Sequence, residues 1–174
     1  MIRARQPRYR LAVALAAAIA CLGRPAAQSN PQPAPADLRA MLEGTWQLDE
    51  WHVNGQILRP PQVDGRWSNH DGVVLAVFSR RDTGQSSAGF GVYQMTTDTW
   101  SYGYTRMQTT VAPPNGSPTV NVTEPKQMQS FKIIRVPGKV ILEGAAGDRR
   151  EYDNTFFTFT QKGQIVRRWR KVTP

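Results

Sequence analysis

The feature that most restricts the fold of this chain is the lack of a long helical period after Gly44. From that point the sequence is rich in threonine, valine and aromatic residues, and glycine or proline interrupts it at short intervals. This pattern is typical of antiparallel strands joined by tight turns. We therefore predict an all-β domain in which Asn54-Gly55, Pro137-Gly138 and Lys162-Gly163 form turns.

Eight segments have the length and composition expected of strands. They are residues 45–53, 73–79, 90–95, 100–108, 129–135, 140–143, 152–160 and 164–172. A short helix is predicted before the first strand, because Asp37 can cap a helix N-terminus and Gly44 can end the helix.

The first predicted strand carries two tryptophans, Trp46 and Trp51, which would point to opposite faces of a regular strand. Trp46 and Leu48 share one face, whereas Trp51 and Val53 fall on the other, so a regular strand would expose one tryptophan. A bulge at Asp49-Glu50 would bring all four apolar side chains to one side. Such a bend is what a strand needs to turn the corner of a small closed barrel.

The last predicted strand contains the sequence R-R-W-R, in which Arg167 and Trp169 share one face and Arg168 and Arg170 share the other. If the sheet closes, the first and last strands become neighbours, and an arginine can stack on Trp46. The alternative interpretation is a solvated basic edge that discourages edge-to-edge aggregation.

With G-T-W at Gly44 to Trp46, strands in meander order and R-R-W-R near the C-terminus, the chain resembles the lipocalin-like group of the calycin superfamily. The resemblance implies an antiparallel up-and-down β-barrel of about eight strands around an apolar cavity. It also implies a base closed by Gly44 and Trp46 under Arg168 or Arg170. Secreted animal lipocalins have disulfides and a C-terminal helix, and neither is predicted for this chain. This difference argues against a deep, retinol-type pocket.

One strand combines aromatic and polar groups in alternation: Trp100, Tyr102, Tyr104 and Arg106 occupy a single predicted face. As a cavity wall, the rings would contact a small, largely apolar ligand, and the hydroxyls or guanidinium would orient its polar end. As plain core packing, the same stripe would have no ligand. These four residues are therefore candidate ligand-binding residues.

An enzymatic site is less strongly indicated. His70 lies beside Asp71, which could orient an imidazole, but N-H-D-G is also an ordinary turn sequence. A barrel enzyme using His70 or the aromatic face stays open, as does an envelope inhibitor or scaffold using the loop at 111–118. No metal or cofactor is predicted, because the sequence has no metal-ligand spacing and no phosphate-binding glycine loop before a helix.

The N-terminus has the composition of an export signal. Four arginines in the first ten residues precede the apolar run L-A-V-A-L-A-A-A-I-A, which is too short for a permanent membrane helix of roughly 20 residues. We predict a signal peptide at 1–27, a proline-rich linker at 28–37 and the barrel domain at 38–174. Cys21 follows A-I-A, so either it is acylated as in a bacterial lipoprotein or it leaves with the signal.

The positive charge of the chain is concentrated in this leader. Five of the 22 basic residues lie in or beside it, which leaves 17 against 13 acids and a net charge of +4. These charges are scattered, so no nucleic-acid partner is predicted. The expected location is the periplasm or cell envelope. Membrane contact is expected only if Cys21 is acylated, and the sequence does not indicate an oligomeric state.

Overall fold

The computed structural model describes residues 34–125 and 127–173, and this part of the chain forms a closed antiparallel β-barrel. One helix, α1 (Ala36–Leu42), precedes the strands. The strands are β1 (Gly44–Val53), β2 (Gln56–Leu58), β3 (Val63–His70), β4 (Val73–Arg80), β5 (Gln85–Met95), β6 (Thr99–Val111), β7 (Thr119–Thr123), β8 (Gln129–Val136), β9 (Lys139–Gly144), β10 (Asp148–Tyr152), β11 (Phe156–Gln161) and β12 (Gln164–Val172). A 3₁₀ turn at Ala145–Gly147 joins β9 to β10.

Ten strands close the barrel, in the order β1, β3, β4, β5, β6, β8, β9, β10, β11 and β12. The ring closes where β12 pairs with β1, from Thr45 opposite Val172 to Trp51 opposite Arg167. Two further strands lie outside the ring: β2 pairs with β1, and β7 pairs with β6. The predicted antiparallel barrel is therefore confirmed, whereas the predicted count of about eight strands is corrected to ten.

Two barrel strands, β3 and β10, were not predicted, because their outward positions are polar. In β3, Asp64, Arg66, Ser68 and His70 alternate with buried residues, and the segment looks like a loop when it is read for composition alone. The turn that connects β3 to β4 comprises only Asp71 and Gly72, with φ values of 47° and 80°.

The second missed strand is β10. A single strand was predicted at 152–160, where the structure has the end of β10, a turn and then β11. The Asp153 carboxylate accepts hydrogen bonds from the backbone N–H groups of Thr155 and Phe156, at 2.7 and 2.6 Å. This capped turn reverses the chain and separates the two strands.

The predicted bulge in β1 is confirmed. The pairing of β1 with β12 shifts register between Leu48 and Glu50, which leaves Asp49 as the extra residue. As a result Trp46, Leu48 and Trp51 are all buried, with at most 9 % of each residue's surface exposed.

One end of the barrel is covered by α1, which begins at Ala36, before the predicted cap Asp37. Leu38 and Leu42 of the helix are almost fully buried. The Asn69 amide donates a hydrogen bond of 2.9 Å to the Leu42 carbonyl, which joins the helix to the end of β3. This end of the barrel is therefore packed with side chains.

Ala34, within the predicted linker, is already part of the core.

Candidate ligand-binding cavity

The half of the barrel away from α1 contains a cavity of about 250 Å³. Aromatic side chains predominate in its lining, together with three charged groups. The lining residues are Trp67, Ala76, Phe78, Tyr102, Tyr104, Met107, Gln129, Asp148, Arg150, Phe157, Phe159, Arg167 and Trp169. A concave site that is mostly apolar, with a few convergent polar groups, is the usual form of a small-molecule site.

Arg150 lies deep in this cavity, with 7 % of its surface exposed. Its guanidinium carbon is 4.7 to 5.5 Å from the centres of five aromatic rings. These rings are Trp67, Trp100, Tyr102, Phe131 and Phe159. Each well-placed cation–π contact contributes roughly 0.5 to 2 kcal/mol, depending on desolvation. One nitrogen also donates a hydrogen bond of 2.8 Å to the Tyr102 hydroxyl.

Arg167 enters the same cavity from β12. Its guanidinium carbon lies 4.2 Å from the centre of the Trp51 ring and 5.1 Å from that of Phe78. The buried Nε–H has no hydrogen-bond partner among the described residues. Burial lowers the pKa of Arg167, and the positive charge of Arg150 acts in the same direction. An arginine nevertheless stays protonated at neutral pH, so the cavity holds two cations.

No carboxylate neutralises these two cations directly. Within residues 34–125 and 127–173, the ion pairs include neither Arg150 nor Arg167. Asp148 is the acid in the cavity lining, and its Oδ1 accepts a hydrogen bond of 3.1 Å from Gln161. The lining therefore carries two positive charges against one negative charge.

The neutral polar groups of the cavity add further hydrogen-bond donors. Burial raises the pKa of Tyr104, so its hydroxyl keeps its proton at neutral pH. The Nε1–H of Trp67 is buried without a partner in the described part of the chain. Since buried donors without acceptors cost free energy, this lining favours a ligand that supplies acceptors.

Three of the four predicted ligand-binding residues point into the barrel. Tyr102 and Tyr104 line the cavity as predicted. Trp100 is fully buried one position deeper, where its ring stacks on that of Tyr102 at 4.9 Å between centroids. It does not line the cavity itself and instead supports Tyr102 from below.

Arg106 does not share this face. The pairing of β5 with β6 passes from Phe90 opposite Arg106 to Gly91 opposite Tyr104, so Thr105 is an extra residue. This bulge reverses the alternation and turns Arg106 outward. Arg106 is exposed and lines an open groove on the outer surface, together with Glu124.

The residues predicted to close the barrel base are also rearranged. Trp46 is fully buried and makes edge contacts with the rings of Tyr152 and Phe157, at 5.5 and 5.1 Å. The cation near its ring is Lys171, whose Nζ lies 5.1 Å from the ring centre. Lys171 takes this place because it shares the inward parity of Trp169 on β12.

Arg168 and Arg170, which were predicted to cover Trp46, point outward. The Arg168 guanidinium lies 4.0 Å from the centre of the Phe156 ring, and Arg170 pairs with Asp49 at 2.6 Å. Gly44 adopts a φ of 136°, which favours glycine, and an added Cβ would lie 3.2 Å from the Lys171 side chain. Gly44 thus leaves room for Lys171 above Trp46.

His70 lies at the end of β3 on the outer surface, where it pairs with Asp71 at 3.0 Å and is largely exposed. It does not line the cavity, so the geometry does not favour a barrel enzyme that uses this histidine. The described residues contain no cluster of side chains suited to a metal ion.

Sequence reasoning missed Arg150 as a site residue and did not assign Arg167 to a cavity. In D-R-R-E-Y the charged residues suggest a solvated segment, yet Arg150 shares the inward parity of Tyr152. That alternation with a buried aromatic residue is the signal that could have identified Arg150.

Cys21 and the predicted signal peptide lie outside the described residues. Among the residues that are described, no helix is long and apolar enough to cross a membrane. No protein-family model matches the chain, and neither the curated proteins nor the solved structures include a match.

Proposed function

We propose that this barrel binds a small, largely apolar ligand in its internal cavity. The observation that carries the proposal is the aromatic-lined space of about 250 Å³ in one half of a barrel whose other half is packed. Rings on several strands supply a large contact area at low entropic cost, and the arginine and tyrosine groups can orient a polar end. The volume favours a compact ligand over a long one.

The resemblance to lipocalin-like barrels supports the same role and stays a prediction, as does export to the periplasm or cell envelope. The alternative of an inhibitor or scaffold would be better served by a filled barrel. Although the loop at 111–118 is exposed, as that alternative requires, the open cavity favours ligand binding.

Replacing Ala76 by leucine should weaken ligand binding at least about fivefold, because the larger side chain overlaps the space for the ligand. Ala76 is buried and lines the cavity. The test titrates purified protein with neutral and acidic compounds, aliphatic and aromatic, and follows tryptophan fluorescence. Trp67 and Trp169 both line the cavity and should report occupancy.

The matched control is Ala88→Leu, because Ala88 is exposed on the outer face of β5. Its affinities should equal those of the unchanged protein. Equal weakening by both variants would place the site elsewhere, and no binding across the whole panel would refute the proposed function.

A further inference from the structure

The two arginines of the cavity lining restrict the chemical class of the ligand. This inference rests on the proposed function, and it concerns the charge of the ligand and not only its size. Arg150 and Arg167 reach one cavity from different strands, β10 and β12, so both guanidinium groups can contact a single bound molecule.

The surroundings of Arg150 leave its charge only partly compensated. Burial of a cation is costly unless an anion and hydrogen-bond acceptors replace the water. The aromatic rings around Arg150 stabilise the charge but offer no acceptors in the guanidinium plane. The Tyr102 hydroxyl accepts one hydrogen bond of the five that a guanidinium can donate.

The buried polar atoms of the cavity lining that lack a partner among the described residues are both N–H donors. The Nε of Arg167 and the Nε1 of Trp67 are buried and without acceptors among the described residues. A ligand that supplied only further donors would leave these groups unsatisfied, whereas a carboxylate has about four acceptor positions. Its planar geometry also matches the fork of an arginine.

The charge of the lining indicates how many negative charges the ligand brings. Although Asp148 pairs with neither arginine, the formal charges of the lining, two positive and one negative, leave one excess positive charge. We propose that the cavity selects an organic monocarboxylate with a compact apolar or aromatic body, and that Arg150 and Arg167 hold its carboxylate. The rings of Tyr104 and Phe157 then contact its apolar body.

The test compares two probes of nearly equal shape, cinnamate and the neutral cinnamamide, by isothermal titration calorimetry on the full chain at neutral pH. Cinnamate should bind at least roughly tenfold more tightly, since hydrogen bonds to charged partners are stronger than neutral ones. This comparison needs no variant. Equal or tighter binding of cinnamamide would overturn the inference while leaving the proposed function intact.

The variant Arg167→Gln should weaken cinnamate binding roughly tenfold to a hundredfold and leave cinnamamide binding nearly unchanged. The control is Arg168→Gln, which changes the adjacent residue on the outer face of β12 and should alter neither affinity. If Arg167→Gln does not fold, as judged by circular dichroism, Arg150→Gln provides the same comparison.

Unchanged selectivity in a folded Arg167→Gln and a folded Arg150→Gln would overturn the role of the two arginines. Failure of cinnamate to bind the unchanged protein, while neutral compounds bind in the panel described above, would overturn the inference alone. Failure of every compound in both experiments would overturn the proposed function as well.

Discussion

Replacing Trp46 by alanine is expected to destabilise the fold by about 3 to 5 kcal/mol, the range for deletion of a large buried aromatic side chain. Trp46 is fully buried, and its ring contacts Tyr152 and Phe157 edge to face. The packing of Leu38 and Leu42 at the same end of the barrel limits how far the structure can collapse into the space left behind. Equilibrium denaturation in urea measures the change.

The control for Trp46→Ala is Ile165→Ala, because Ile165 is 46 % exposed on β12. Its expected effect is below about 0.5 kcal/mol, as for most surface substitutions. A loss of less than about 1 kcal/mol for Trp46→Ala would mean that this tryptophan does not hold the barrel end together.

The position of Trp46 is an example of what the sequence can predict. The opposite parities of Trp46 and Trp51, with two acids between them, required a bulge if both rings were to be buried, and the bulge occurs at Asp49. Hydrophobic burial is a strong local constraint on register. The cation above Trp46 was not predictable in the same way, because several basic residues of β12 compete for it and only the register of closure selects Lys171.

The two strands that prediction missed have charged residues at outward positions and few apolar residues between them. β3 and β10 carry acidic and basic residues outside, and β10 carries Arg150 inside as well. A buried arginine breaks the rule that inward positions are apolar, so composition alone assigns such a segment to the surface. The cavity that holds the Arg150 side chain is lined by residues of several strands, so it cannot be predicted from the segment around Arg150 alone.

The candidate site could be predicted from the sequence only in part. Alternation along β6 correctly placed Tyr102 and Tyr104 inside, but it assumed that the strand was regular as far as Arg106. The bulge at Thr105 invalidates that assumption. Nothing in T-R-M-Q around the bulge marks it locally. We expect its cause to lie on the neighbouring strand, where the backbone of β6 closely approaches Gly91.

Replacing Gly91 by alanine is expected to cost about 3 kcal/mol, near the upper end for overpacking, because the clash involves backbone and not a movable side chain. A Cβ at this position would lie 1.9 Å from the carbonyl oxygen of Gly103 and 2.7 Å from the Cα of Tyr104. The two strands could accommodate it only by moving apart at the bulge. The measurement is again equilibrium denaturation, with near-ultraviolet circular dichroism to follow the aromatic cavity.

The matched control for Gly91→Ala is Gly55→Ala in the turn after β1. Gly55 has a φ of 75° and no atom within 4 Å of an added Cβ, so its substitution should cost only the strain of a left-handed residue, about 1 to 2 kcal/mol. Gly91→Ala should exceed this loss and also weaken ligand binding, because Tyr104 lines the cavity directly beside the bulge. If Gly91→Ala is no more destabilising than Gly55→Ala and leaves binding unchanged, then the close approach of β5 to β6 does not fix the bulge. The inward direction of Tyr104 and the outward direction of Arg106 would then need another cause.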